Sequence, residues 1–186
     1  SLLAVPAEAD GVPIRVVETG EIVARDAGPA HSLQYNTPVP MGVSTSNDNG
    51  CYAGTLGVRV FRSGVLSKVG YITNSHVASA GGANLCPGRA AFSEDQFQRA
   101  RFDTNPQCSS TGVIKIGDLV QHIPIVFGGL FENTVDAAFV LSSRSLVNKT
   151  ILDIGNPSPS ILAPALNAQV QKSGRTSGLT FGVITS

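Results

Sequence analysis

The sequence predicts an all-β protein, either a barrel or a sandwich, and three observations support this fold class. Short segments that alternate apolar and polar residues, or are rich in β-branched residues, recur along the 186 residues. Turn-forming Gly and Pro, 20 and 11 residues respectively, stand between them. The 3.6-residue apolar period of a helix persists nowhere, although residues 93–101 could form one short helix. Many short strands separated by turn residues are typical of barrels and sandwiches.

The N-terminal region contains one pair of predicted strands and then a loop-rich stretch. Residues 12–18 and 21–24 lie on either side of a Thr-Gly turn. Gly, Pro, Asn and Ser are frequent from there to residue 50. We therefore expect residues 1–50 to be an N-terminal extension that precedes the main β-domain.

From residue 54 onward the strand signal is stronger. The predicted strands are 55–61, 66–73, 111–116, 119–127, 134–141, 168–172 and 179–185. The first two flank the turn Arg62-Ser63-Gly64 and predict a β-hairpin. A run containing Pro and Ser, residues 156–164, predicts a linker between two subdomains.

The composition argues against several classes of protein and partner. With 42% hydrophobic and 14% charged residues, the chain is expected to fold rather than stay disordered. Lys and Arg total 13, as do Asp and Glu, and no basic stripe occurs, so no nucleic-acid partner is predicted. Apolar runs reach only strand length, against about 20 residues for a membrane helix, so no membrane partner is predicted. The sequence begins without Met or a signal peptide, which predicts a processed or partial product of unknown localisation.

Three cysteines, Cys51, Cys86 and Cys108, leave at least one thiol unpaired. Cys86 and Cys108 lie in the same loop-like stretch, so they are the preferred disulfide pair, and three reduced thiols are the alternative. The spacing of the cysteines fits no zinc site, and no metal site is predicted.

Residues 69–79 carry the clearest functional signal, the run VGYITNSHVAS. An apolar strand leads into a polar pair and then into His76, which small residues follow. A general base needs this setting, because the strand end is rigid and small neighbours leave the ring accessible. Histidine titrates near neutral pH, so such a ring can take a proton from a hydroxyl and return it to a leaving group.

Residues 132–141 carry the second signal, the run ENTVDAAFVL. Asp136 precedes five apolar residues of a strand and is expected to be partly buried. A buried carboxylate is costly unless a partner compensates it. A histidine ring N–H would compensate it, and the carboxylate would in turn hold the ring in the tautomer that base catalysis requires.

Together with a third segment, these two resemble the trypsin/chymotrypsin superfamily of serine proteases, bacterial-type members in particular. The third segment is VQKSGRTSGLTFGVIT, residues 170–185, which is similar to the hairpin that opens the second barrel in that family. The likeness covers residues 38–186. It implies a chymotrypsin-like double β-barrel, with the first barrel in residues 51–155 and a linker and first hairpin of the second in 156–186. It also implies peptide-bond hydrolysis through an acyl-enzyme, with no cofactor.

By this resemblance His76 is the general base, Asp136 orients it, and the substrate is a protein or peptide. The nucleophile motif of the family, Gly-Asp-Ser-Gly, is absent from the sequence. The nucleophile is therefore expected beyond residue 186, on a second chain or on a missing segment. Ser177, where the family usually has Thr, is the fallback within the chain. It lies only 41 residues after Asp136 and in a turn-forming context, and Ser173 is a weaker candidate still.

The remaining polar candidates have structural interpretations. Asp118 is the rival acid, but a Gly-Asp pair is typical of an ordinary turn. His31 is expected to be solvated, and His122 to be half-buried or exposed within a strand. Lys172 and Arg175 are expected to cover the hairpin surface or to pair locally.

Two other function classes stay open. One is a catalytically inactive protease-like module that binds peptides or acts as a scaffold, although such modules often lose the His or the Asp. The other is a purely structural β-domain, which low charge and many Gly residues would suit. The protease interpretation is preferred because it accounts for the three segments in their order.

Overall fold

The computed structural model describes residues 8–9, 12–13, 29–61, 68–79, 94–126 and 133–185. Strands dominate these residues, which confirms the all-β prediction. One single-turn helix, α1, spans Ser75–Ala78, and two 3₁₀ segments span Pro29–Ser32 and Arg101–Asp103. In chain order, the strands are β1 (Glu8–Ala9), β2 (Val12–Pro13), β3 (Val39–Met41), β4 (Ser44–Asn47), β5 (Gly54–Thr55), β6 (Val58–Phe61), β7 (Val69–Thr73), β8 (Asp95–Gln98), β9 (Ile114–His122), β10 (Ala138–Ser142), β11 (Val147–Ile151), β12 (Gln169–Gly174) and β13 (Gly178–Val183).

Seven strands form one curled antiparallel sheet in the order β5-β4-β8-β9-β10-β7-β6. The two edge strands, β5 and β6, are consecutive in the chain. Between them, Leu56 N donates to Val43 O at 2.9 Å, next to β4, and Gly57 N donates to Ile72 O of β7 at 3.0 Å. One continuous segment therefore passes from one edge of the sheet to the other, and strand twist and curl make that possible.

The inner face of the sheet is apolar and buried. Tyr71, Val140 and Leu119 lie in register on β7, β10 and β9, and each is fully buried. Strand β3 pairs in parallel with β11 and adds Val39 and Met41 to the same cluster. The prediction of β10 from sequence rests on its run of five apolar residues, and that of β7 on an apolar strand that forms a hairpin with residues 55–61.

Two elements between residues 93 and 127 differ from the sequence prediction. The possible helix at 93–101 is wrong, since strand β8 occupies this stretch. Gln96 and Gln98 are fully buried while their neighbours are partly exposed, which is the two-residue period of a strand. The strands expected on either side of residue 118 are one continuous strand, β9. Asp118 lies inside that strand rather than in a turn.

The extension expected over residues 1–50 contributes strands to the folded unit. It contains β3 and β4, and β4 belongs to the seven-stranded sheet. The four residues of β4 are polar yet buried, so hydrophobic patterning did not reveal the strand. Of the predicted strands at 12–18 and 21–24, only residues 12–13 lie within the described part of the chain.

The disulfide joins Cys51 to Cys108, with Cα atoms 5.1 Å apart. The preferred pair Cys86–Cys108 is therefore wrong, and Cys86 lies outside the described residues. Proximity along the chain was misleading because the sheet brings distant loops together. Strand β8 pairs with both β4 and β9, so the loop after β4 approaches the loop that carries Cys108.

The tip of hairpin β12–β13 is docked on the sheet through Arg175. The guanidinium donates to both oxygens of Asp103, with Nε 3.3 Å from Oδ2. The Asp103 side chain is only 4% exposed. Arg175 N also donates to Thr55 Oγ1 at 3.0 Å, and the guanidinium lies over the Phe102 ring. Arg175 was expected to cover the hairpin surface or to pair locally; this is wrong for its ion pair, because Asp103 lies 72 residues away.

A buried histidine contacts the same hairpin further from its tip. His31 is 2% exposed, and its Nε2 lies 3.0 Å from Ser173 Oγ and 3.3 Å from Asp153 Oδ2. The expectation that His31 is solvated is wrong, since the first 3₁₀ segment packs against β12. Gly42, with φ of +83°, approaches so closely that a Cβ atom there would lie 2.5 Å from Ser173 Oγ. Both the backbone angle and the space require glycine at this position.

Replacing Cys51 and Cys108 together by Ala should lower the free energy of unfolding by about 3–4 kcal/mol, because the crosslink restricts the unfolded chain. Denaturant titration with and without reducing agent measures the loss. Cys86→Ala is the matched control and should keep both the crosslink and its stabilisation. A peptide map of unreduced protein in which Cys108 is joined to Cys86 would contradict the assignment.

Arg175→Leu should lower the free energy of unfolding by about 3 kcal/mol, because Asp103 would remain buried without its charged partner. The matched control is Arg144→Leu, which removes an exposed guanidinium from the ring of Phe61 and should cost at most about 1 kcal/mol. Urea unfolding of both variants gives the comparison. Equal losses would show that the Arg175 pair stabilises no more than a surface contact does.

Candidate active site

The ends of three neighbouring strands meet at one edge of the sheet. Thr73, Ala138 and His122 form a cross-strand row through β7, β10 and β9. Strands β7 and β9 end at this row, and β10 begins there. His76 follows the end of β7 and Asp136 precedes the start of β10, so antiparallel pairing brings these two residues to the same place.

His76 and Asp136 form a close hydrogen-bonded pair. His76 Nδ1 lies 2.5 Å from Asp136 Oδ2, and His76 N donates to Oδ1 at 3.2 Å. Asn74 Nδ2 donates to the same carboxylate, 3.1 Å from Oδ2. Because an ionised carboxylate only accepts, Nδ1 carries the proton and Nε2 of the neutral ring keeps its lone pair. The side chains of His76 and Asp136 are 58% and 31% exposed, so this nitrogen belongs to an accessible ring.

The surroundings of Asp136 act on its pKa in opposite directions. Burial raises the pKa, whereas the hydrogen bonds from the ring and backbone of His76, the charge that this ring carries when it is protonated and the amide of Asn74 lower it. The net effect is a pKa below the usual value for aspartic acid. Asp136 is therefore ionised at neutral pH, which is the state that can orient a histidine.

Helix α1, which carries His76, is held by groups that sequence analysis missed. The carbonyl oxygen of Ala78 accepts hydrogen bonds from Asn47 Nδ2 at 2.8 Å and from Gln96 Nε2 at 2.7 Å. Both amide-bearing residues are fully buried. Val77 packs so closely on Gly54 that a Cβ atom there would overlap its side chain. In a sequence, Asn, Gln and Gly are typical of loops, so the role of these three residues becomes visible only in the fold.

The other predicted polar residues lie in different surroundings. His122 is half-buried at the end of β9, as expected, and its Nδ1 is 3.0 Å from Ser75 Oγ. Asp118 lies within β9 and forms a salt bridge with Lys115 at 2.8 Å. Asp136, and not this rival acid, is the carboxylate that contacts His76.

The serines of the hairpin have partners other than His76. Ser177 Oγ accepts a hydrogen bond from Lys172 Nζ at 2.5 Å, so Lys172 does pair locally, as expected. Ser173 Oγ contacts the buried His31. In the described part of the chain, the hydrogen bonds of His76 go to Asp136 and none goes to a serine. Among those residues, the site thus contains an oriented histidine ring that is hydrogen bonded to no hydroxyl group.

Within the described ranges, no three His, Cys, Asp or Glu side chains are grouped so that they could hold a metal ion. No helix in that part of the chain is both long and apolar enough to cross a membrane.

Comparison with known proteins does not assign the chain to a family, because no family model and no curated protein matches the sequence.

Asp136→Asn should lower the free energy of unfolding by an amount that depends on pH. Because the pKa of Asp136 is lower in the folded state, its contribution is fully present above the ordinary value of about 3.9 and is lost as pH falls through the folded pKa. At neutral pH the variant should lose about 1–2 kcal/mol, since the pair is partly exposed. The difference between the variant and the wild type should shrink below about pH 4.

Urea unfolding between pH 3 and pH 7 measures this effect. Asp118→Asn is the matched control, because it removes one carboxylate from an exposed salt bridge without touching His76. Parallel stability profiles for Asp136→Asn and the wild type across the whole range would contradict the assignment of Asp136 as an ionised hydrogen-bond acceptor.

Proposed function

We propose that this protein is a serine endopeptidase of the chymotrypsin fold, with His76 as general base and Asp136 as the acid that orients it. The observation that carries the proposal is the 2.5 Å contact between His76 Nδ1 and Asp136 Oδ2, on a ring that is 58% exposed. The two residues are 60 positions apart in the chain, so their meeting is a product of the fold. An exposed imidazole ring whose Nδ1 is hydrogen bonded to a carboxylate is the arrangement that base catalysis by histidine needs.

The architecture supports the finer fold assignment. The seven-stranded antiparallel sheet curls until one segment, residues 54–61, joins both of its edges, as the first barrel of this fold would require. Hairpin β12–β13 follows exposed residues 156–167 and is docked beside the sheet. We propose that this hairpin begins the second barrel.

The proposed reaction follows the geometry of the pair. His76 Nε2 takes the proton of a serine hydroxyl as its oxygen attacks the scissile carbonyl, and the ionised Asp136 stabilises the imidazolium that forms. His76 then gives this proton to the amine as the peptide bond breaks. The amine departs, and the acyl group stays bound to the serine as an acyl-enzyme. Water, deprotonated by the same nitrogen, attacks the acyl carbonyl; the bond to the serine oxygen breaks, His76 returns the proton to that oxygen, and the free acid is released. Backbone amides near the nucleophile would stabilise the oxyanion.

We propose that the nucleophile lies outside residues 1–186, on a second chain or on a further segment. Ser177, the fallback within the chain, has its Oγ bonded to the exposed Lys172. A lysine that serves as base for a serine is usually desolvated, and this one is exposed. Ser173 is engaged with His31.

A catalytically inactive peptide-binding module is the second candidate function. It is favoured by one observation, that His76 is hydrogen bonded to no hydroxyl group within the described residues. It does not explain why the histidine and the aspartate retain an orienting contact.

A fluorophosphonate probe tests the proposal on the protein in its natural form. The probe should label one serine outside residues 1–186, because only a base-activated hydroxyl reacts rapidly. Asp136→Asn should slow labelling by on the order of 10³–10⁴-fold, since the ring would lose its oriented tautomer. Mass spectrometry, first native and then denaturing, should show whether the labelled segment is a separate chain.

Ser177→Ala is the matched control and should label at the wild-type rate. A label on Ser177 itself would refute the location of the nucleophile. A folded protein that reacts with no probe, cleaves no peptide and still binds peptides would refute the protease and support the inactive module.

A further inference from the structure

Helix α1 is too short to hold its shape alone. A single turn, Ser75–Ala78, is far below the length at which isolated helices are stable. Asn74 occupies the N-cap position, but its side chain makes no capping hydrogen bond and donates to Asp136 instead. The position of His76 therefore depends on contacts that tie this turn to the sheet.

The amino end of the turn is tied to β9 by a side-chain hydrogen bond. Ser75 is fully buried, and its Oγ lies 3.0 Å from His122 Nδ1. A buried hydroxyl without a partner is costly, so the contact restrains where Ser75 can lie. His122 is the last residue of β9 and lies in the cross-strand row next to the site.

We infer that His122 is a positioning residue, whose hydrogen bond to Ser75 fixes the turn so that His76 Nδ1 stays within bonding distance of Asp136. The inference rests on the proposed function, in which this pair is the base and its orienting acid. The carboxyl end of the turn is fixed separately, since two buried amides donate to Ala78 O. With both ends held, the ring between them can be exposed and still keep one orientation.

The hydrogen bond between Ser75 and His122 requires a polar atom at the position of Nδ1, but it does not require the ring to be charged. The Ser75 hydroxyl can donate to Nδ1 of a neutral ring or accept from Nδ1–H of an imidazolium, so the bond forms in both states. The other residues that line the cavity beside His122 do not titrate: Ile72, Gln121, Ile123, Ala137, Ala138 and Phe139. The ionisable groups that α1 and β10 bring to this end of the sheet are His76 and Asp136.

Side-chain length therefore distinguishes two amide substitutions. Asparagine places its amide near the position of Nδ1 and should replace His122. Glutamine places its amide nearer the position of Nε2 and should leave Ser75 without a partner. The two variants have the same chemical group, so they form a matched pair in which only its position changes.

The test compares H122N, H122Q and H122L in the full chain by NMR. Two signals report on the pair: the low-field resonance of His76 Nδ1–H, identified by its loss in His76→Gln, and the titration of the Asp136 carboxyl carbon. H122N should keep both signals as in the wild type. H122Q and H122L should lose the low-field resonance and raise the pKa of Asp136 towards its ordinary value, because the hydrogen bonds that lower it are weakened.

Unfolding midpoints of the same variants separate positioning from stability alone. A less stable H122Q with unchanged resonance and titration would overturn the inference, and so would equal behaviour of H122N and H122Q. If H122Q or H122L does not fold, Ser75→Ala gives the same test from the other partner. A folded Ser75→Ala protein with an unperturbed His76–Asp136 pair would overturn the inference.

These signals do not depend on peptide hydrolysis. A protein that in its natural form, with any further segment or chain, cleaves no peptide but distinguishes H122N from H122Q would contradict the proposed function and support the positioning role. An active protease whose His76–Asp136 pair is indifferent to both substitutions would support the function and overturn the positioning role.

Discussion

The carboxylate of Asp136 joins two strands at the point where one ends and the other begins, and the candidate site depends on this junction. It accepts hydrogen bonds from the ring and backbone of His76 and from the amide of Asn74. These donors lower the pKa of Asp136 by more than burial raises it. The same bonds determine the tautomer of His76, since a proton on Nδ1 leaves the lone pair of the neutral ring on Nε2. One interaction therefore sets the position of the ring, its tautomer and the ionised state of Asp136.

An exposed ring can hold this position because buried polar side chains beneath it form hydrogen bonds that hold the backbone. Strand β4 contributes Ser44 and Ser46, whose hydroxyls accept from the backbone amides of residues 100 and 101, and Asn47, which donates to Ala78 O. Buried polar groups persist where they have partners. A shift of β4 by one residue would leave these groups unpaired, so they specify register more strictly than apolar side chains would.

The parts of this fold that could be predicted from sequence are those in which short apolar runs form the buried strands. Strands β7 and β10 have apolar inner faces, and His76 and Asp136 were identified because each adjoins such a strand at a polar end. Strand β4 could not be predicted, since all four of its residues are polar and resemble a loop. The buried amide of Gln96 gave no signal for the same reason.

Apart from the pair of His76 and Asp136, the contacts between distant parts of the chain could not be predicted from the sequence. The disulfide of Cys51, the ion pair of Arg175 and the burial of His31 each depend on a partner more than 50 residues away. Residue type limits which partners are chemically suitable, but sheet order decides which one is adjacent. That order follows from the pairing of all seven strands together and not from any local segment.

Thr55 shows how such remote contacts bear on the site. Its Oγ1 accepts from Arg175 N at 3.0 Å, and its carbonyl oxygen accepts from Thr73 Oγ1 at 2.8 Å. The hairpin tip is thus joined through one residue to the end of the strand that leads into His76. Under the proposed function the second barrel carries the nucleophile, and a base acts on a hydroxyl only within about 3 Å. The contacts of the hairpin with Thr55 and Asp103 therefore help to position the nucleophile relative to His76, although neither residue takes part in proton transfer.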